Sequence, residues 1–196
     1  MPFATHPRHI LGPVCVLLIA FSLYFINEPN YSLLVFSHDD IVDGQWWRLI
    51  SGHFLHTNLN HLLLNATGIA LLWALQGQYY QPWSYLLLFI TMVLGTSIGL
   101  LLFSPSLQWY VGLSGALHGV FIWGAYQDIR HKLKSGWLLL LGVMAKVGYE
   151  QLAGASANVA RWIDANVAID AHLYGTLSGL IWIAICQLRD KRKKEF

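Results

Sequence analysis

Residues 111–119 read Val-Gly-Leu-Ser-Gly-Ala-Leu-His-Gly and set one serine, Ser114, between glycines at the head of a short apolar helix. Gly112 and Gly115 leave the backbone beside the hydroxyl unobstructed. Another chain can then approach closely, and the serine amide can point into a cavity. A second stretch, residues 171–179, AHLYGTLSG, opens another apolar helix with His172. A serine and a histidine brought together from two helices make a nucleophile and its base. Taken singly, each stretch fits equally well a helix whose small residues let a neighbour pack tightly and whose serine is simply hydrogen-bonded.

The sequence around these stretches is that of a membrane protein. Of 196 residues 56% are hydrophobic and 11% charged, mean hydropathy is +0.48, and the charges gather between long apolar runs. This points to an all-α, polytopic membrane protein forming a single domain over residues 1–196. Apolar runs at residues 10–26, 59–75, 83–103, 114–126, 137–153 and 171–188 predict six spans. The first is interrupted only by Gly12 and Pro13 near its start. It is read as a span rather than a cleaved signal, because it lacks a clear small-residue cleavage site. The fourth run is too short to cross a bilayer, which places Ser114 below the membrane surface, inside the protein.

Charge sets the orientation. The head, residues 128–135 and the tail hold nine of the twelve Lys and Arg residues, against two in the connections 27–58 and 154–170. Both termini are therefore expected on the cytoplasmic side. Ser114 and His172 then lie at similar depth near the outer leaflet. The basic residues flank membrane segments and give no sign of nucleic-acid binding. Cys15 and Cys186 fall in apolar runs near the cytoplasmic side, where neither a disulfide nor a metal pattern is expected. The first connection carries Glu28, Asp39, Asp40 and Asp43 and closes on Trp46, Trp47 and Arg48, which suits a segment at the membrane interface. Trp109 and Tyr110 read as interfacial in the same way.

Polar residues inside spans are costly and turn toward a bundle interior, which marks out His61, Asn65, Ser114, His118, Lys146, Glu150 and His172. Ser114 is the candidate nucleophile and His172 the base that takes its proton and delivers it to the leaving amine. Asn65 and the Ser114 amide are candidate donors to the developing oxyanion, and His61, one turn earlier on the same face, is a further one. Taken alone, His61 also reads as an internal histidine bonded to nearby backbone. No carboxylate has an evident claim to orient His172, whose ring is expected to be held by packing. Gly175 and Gly179 would bring its helix against Gly115 and Gly119 of the serine helix. Lys146 and Glu150, four apart, read as a mutually neutralising pair that serves packing, or alternatively docks a substrate's tail.

The succession Trp47-Arg48, His56, His61 with Asn65, Gly112-Leu113-Ser114-Gly115, then Ala171-His172 followed by Gly175 and Gly179 resembles the rhomboid family of intramembrane serine proteases. The resemblance implies a six-helix rhomboid-like core, a Ser114–His172 dyad and oxyanion contacts from Asn65 and His61. It also implies a membrane-embedded first loop steadied by Trp47 and Arg48, His56 as a structural residue near the mouth of the site, and no metal or cofactor. One departure stands out: many rhomboids carry an aromatic residue one turn after the nucleophile, stacked on the catalytic histidine, where this chain has His118. Together with the compact length and the 146–150 segment, this looks like the rhombosortase branch. That likeness implies substrates that are bacterial exported proteins with a C-terminal tail of small Gly-rich residues, a membrane helix and a basic end. It further implies an inner-membrane location with the site open to the periplasm. Physically, a cut at a shallow intramembrane site needs an extended segment, since a helix hides its carbonyls; glycines near the cut are therefore expected. His118 is read as site-shaping, either stacking on or hydrogen-bonding His172 or forming a narrow subsite for small side chains.

Two other classes compete. Nine histidines invite a metal or haem reading, with His61, His118 and His172 as the facing candidates. His53 and His56 do not form the HExxH pattern of a zinc protease, and a haem protein has no need of a serine between glycines. A rhomboid-like protein that only binds membrane clients typically loses the serine or the histidine, and this chain has both.

Overall fold

The computed structural model describes residues 4–26 and 31–192. Glu28 of the first connection and Lys193 and Lys194 of the tail lie outside them. Among the described residues the chain is almost wholly helical: α1 (Pro7–Ile26), α2 (Tyr31–Leu34), α3 (His38–Val42), α4 (Arg48–Ser51), α5 (Leu59–Gln76), α6 (Pro82–Phe103), α7 (Ser114–Arg130), α8 (Lys134–Ala153), α9 (Ala157–Ile163) and α10 (Ile169–Arg192). Two short strands, β1 (Phe36–Ser37) and β2 (Trp109–Tyr110), pair antiparallel and tie the first connection to the turn before α7.

Each of the six apolar runs lies on one of the long helices α1, α5, α6, α7, α8 and α10. Three of these, α1, α6 and α10, are long and apolar enough by themselves to cross a membrane. α1 begins at Pro7 and runs on through Gly12 and Pro13. α7 continues to Arg130, beyond the run ending at 126, yet its 17 residues still reach only about 25 Å against a hydrocarbon layer of about 30 Å. Leu138, Leu141 and Leu152 of α8, Trp83 and Leu87 of α6, and Leu18 of α1 face outward. So much exposed apolar surface suits lipid, not water.

α7 sits inside the bundle. Leu113, Ala116 and Val120 are fully buried with Leu62 of α5 and Phe89, Met92 and Val93 of α6. On its other side α7 meets α10 through glycines: a Cβ on Gly119 would lie 2.6 Å from the Gly175 carbonyl oxygen, and one on Gly179 would lie 2.7 Å from that of Gly119. Only hydrogen at these positions lets the two backbones approach so closely.

The first connection is pinned by Arg48, only 3% exposed. Its Nη1 donates to the carbonyls of Ser32 (2.8 Å) and Val35 (2.7 Å), Nε donates to Gln45 Oε1 (2.9 Å), and Nη2 pairs with Asp40 (3.1 Å). Trp47 Nε1 donates to Leu33 O at 3.0 Å, while the ring, like that of Trp46, stays exposed. His53 Nε2 meets Ser97 Oγ of α6 at 2.9 Å, fastening the segment to the bundle.

Two expectations are corrected. Residues 154–170 are not a plain link, for they contain α9. Seven residues with no span-length apolar run left no periodic signal, and the helix is held by tertiary caps. Asn58 Nδ2 (3.0 Å) and Asn60 Nδ2 (3.2 Å) donate to Trp162 O, and Thr57 Oγ1 donates to Ile163 O. Tyr110 is not interfacial. It is buried, with its ring edge-on to His53 and Phe36, and its hydroxyl donates to Gly112 O.

Candidate active site

Gly112 makes the turn into α7, at φ +109°. Its conformation favours glycine, and a Cβ there would also stand 2.5 Å from His61 Nε2. The turn delivers Ser114 as the first residue of α7, so its amide is one of the helix's unpaired N–H groups. His172 enters from the first turn of α10 and is buried. Its Nε2 lies 3.0 Å from Ser114 Oγ, a hydrogen bond between side chains 58 residues apart.

The His172 ring is held on two sides. His118 stacks on it, centroids 4.3 Å apart and planes 23° apart, while His118 Nδ1 meets Ser114 O at 2.7 Å. On the far edge, His172 Nδ1 lies 2.8 Å from Glu150 Oε2. The expectation that no carboxylate orients His172 is therefore corrected. α8 runs beside α7 and α10 and turns Glu150 inward onto the imidazole. The available signal was an acidic residue well inside an apolar run. Pairing it with Lys146 by spacing alone satisfied it too early. Lys146 Nζ does meet Glu150 Oε2 at 2.7 Å, and also approaches His118 Nε2 and His172 Nδ1, each at 3.0 Å.

Across from this cluster, α5 presents His61 and Asn65, both buried. Asn58 caps α5, its side chain accepting from the His61 amide at 2.9 Å, which fixes where the first turn begins. Asn65 Nδ2 spends one hydrogen on His61 O at 3.0 Å, leaving the other for the site. Thr57 Oγ1 gives its only hydrogen to Ile163 O and meets His61 Nδ1 at 3.2 Å. His61 must then supply the proton of that second bond, which leaves Nε2 an acceptor while the ring is neutral. His56 is buried edge-on to His61, centroids 5.0 Å apart. Thr57 is a site residue the sequence reading missed; its only cue was its place just before the Asn58 cap.

Two cavities meet at Ser114 and His61. One of about 250 Å³ is lined by Thr57, residues 106–111 and residues 165–168. The other, about 640 Å³ and mostly apolar, lies between α5, α7 and α8 and reaches Asn65, His118, Lys146 and His172. Among the described residues no group of three or more His, Cys, Asp or Glu side chains is placed to hold a metal ion. The arrangement offers a hydroxyl, an imidazole bonded to it, and amide donors beside a mostly apolar cleft.

The family described as Rhomboid domain matches residues 43–189. The chain is 26% identical over 197 residues to YdcA, a rhomboid of Bacillus subtilis (strain 168), covering 93% of each chain. It is 25% identical over 211 residues to the rhomboid protease GlpG of two Klebsiella pneumoniae strains, covering 98% of this chain and 70% of theirs. With the matched segment running from the first connection to the last helix and enclosing Ser114, His172 and Asn65, this chain belongs to the rhomboid family.

Proposed function

We propose that the chain is an intramembrane serine endopeptidase of the rhombosortase kind, with residues 1–196 acting as one rhomboid-like unit. The observation that carries this reading is the 3.0 Å hydrogen bond between Ser114 Oγ and His172 Nε2, made at the N-terminal ends of two different helices. Ser114 Oγ attacks the scissile carbonyl carbon as its proton passes to His172 Nε2. The proton then goes to the leaving amine, the C–N bond breaks, and water hydrolyses the acyl-enzyme by the same route in reverse. Asn65 Nδ2 and the Ser114 amide donate to the oxyanion; His61 joins them as a donor only in its protonated form. Water reaches the site through the smaller cavity, and the substrate's extended segment enters from lipid through the apolar cleft.

The substrate is a membrane-anchored exported protein with a C-terminal tail of small residues, a membrane helix and a basic end. Its glycines suit the cleft beside Ser114, because they unwind easily and need little room. The enzyme is a six-span protein of the bacterial inner membrane, both termini cytoplasmic and the site open to the periplasm, in keeping with the lysine and arginine distribution. The chemistry calls for no cofactor or metal.

The test is cleavage of a reporter bearing such a tail, in proteoliposomes, together with fluorophosphonate labelling. Ser114→Ala and His172→Ala are each expected to abolish cleavage while the protein stays folded in detergent, and Ser114→Ala to abolish the label. Full cleavage by either variant removes that residue from the mechanism. Binding of the tail by wild type with neither cleavage nor label favours a non-catalytic client-binding protein.

A further inference from the structure

We propose that Glu150 is the positioning residue of His172, so that the site works as a chain Ser114–His172–Glu150 rather than as a bare serine–histidine pair, with Lys146 and His118 fixing the carboxylate. The proposal rests on the proteolytic reading above. It follows from counting protons around Lys146 Nζ. The Ser114 carbonyl can only accept, so the proton of the neutral His118 ring is on Nδ1, donated across 2.7 Å. His118 Nε2 is then a lone pair that accepts from Lys146. The ammonium also donates to Glu150 Oε2, the shortest of its contacts at 2.7 Å.

His172 Nδ1 faces both a carboxylate oxygen at 2.8 Å, which only accepts, and an ammonium at 3.0 Å, which only donates. Two tautomers compete. With the proton on Nδ1, the ring donates to Glu150, and Nε2 is the lone pair that can take the Ser114 proton. With the proton on Nε2, the ring accepts from Lys146 and presents an N–H to Ser114, which is useless for a base. Glu150 selects the first. It also offsets the ammonium when Nε2 becomes protonated; without it two cations would stand 3.0 Å apart in a part-buried site. Lys146 and His118 keep the carboxylate in place, so the cluster is one hydrogen-bonded unit.

Glu150→Gln keeps the shape and removes the charge. Lys146 then donates to His172 Nδ1 and imposes the inactive tautomer. In proteoliposomes kcat per folded molecule is expected to fall on the order of 10²- to 10⁴-fold, with KM little changed. Fluorophosphonate labelling of Ser114 is expected to slow in parallel. Removing the ammonium as well, in K146M/E150Q, is expected to recover about tenfold of that loss while staying at least about tenfold below wild type. A pair that served packing alone would move the melting temperature and leave kcat per folded molecule alone. Wild-type kcat in E150Q, alongside an inactive S114A, overturns the role of Glu150 and leaves the protease reading standing. An active S114A overturns both. Should E150Q fail to fold, K146M/E150Q decides the matter, and wild-type kcat there overturns the proposal.

Discussion

Gly175→Ala tests whether the α7–α10 contact sets the reactive geometry. A Cβ on Gly175 would lie 2.6 Å from the carbonyl carbon of Gly115 and closer still to its oxygen. Ordinary contact between carbons needs about 3.5 Å, so the two backbones must part by about 1 Å. Ser114 is next to Gly115, and His172 is one turn before Gly175, so the same displacement acts on the 3.0 Å bond between their side chains. Stretched to about 4 Å, that contact is no longer a hydrogen bond. Misplacement of this size costs on the order of 10²-fold in rate, whereas overpacking costs only about 1–3 kcal/mol of stability. G175A should therefore fold and bind substrate but cleave it about a hundredfold more slowly. Gly148→Ala is the control, since nothing lies within 4 Å of a Cβ built there on the exposed face of α8. The assay is kcat and KM for a tail-bearing reporter in proteoliposomes, with melting temperature in detergent as the check on folding. Wild-type kcat in folded G175A would refute the claim that this glycine contact positions His172.

Two further substitutions probe other parts of the site. Asn65→Ala removes a buried amide beside the nucleophile and is expected to cost about tenfold to a thousandfold in kcat, the range for one oxyanion donor; an unchanged turnover number would place the donor elsewhere. Arg48→Ala removes the donor to the carbonyls of Ser32 and Val35 and the cation paired with Asp40. It should lower stability by about 2–4 kcal/mol, read as a drop in melting temperature, with the residual folded fraction still labelled at Ser114. Unchanged stability would show that the first connection is held by other contacts.

The residues themselves were enough to decide the class of the molecule. Apolar runs separated by charge clusters leave the chain nowhere to fold but in lipid, and each run must close its own backbone hydrogen bonds as a helix. The short fourth run led only to the expectation that Ser114 lies below the membrane surface, whereas glycines spaced by four on two helices forecast the close packing that α7 and α10 show. Gly112 before the serine and Asn65 one turn after His61 were legible too, because a turn and a helix face are local properties. What sequence could not supply was the partner of each buried polar group across the bundle. Glu150 had a good neighbour in Lys146 four residues away, and only the crossing of α8 beside α7 and α10 turned both toward His172. Thr57 gained its role from the end of α9, more than 100 residues on, and Tyr110 from the Gly112 carbonyl and the pairing of β1 with β2. A hydrogen bond is directional and short-ranged, so which donor finds which acceptor depends on how helices cross and rotate. Hydrophobic periodicity determines that helices form and which face they bury, but it leaves those crossings to the packing of the whole.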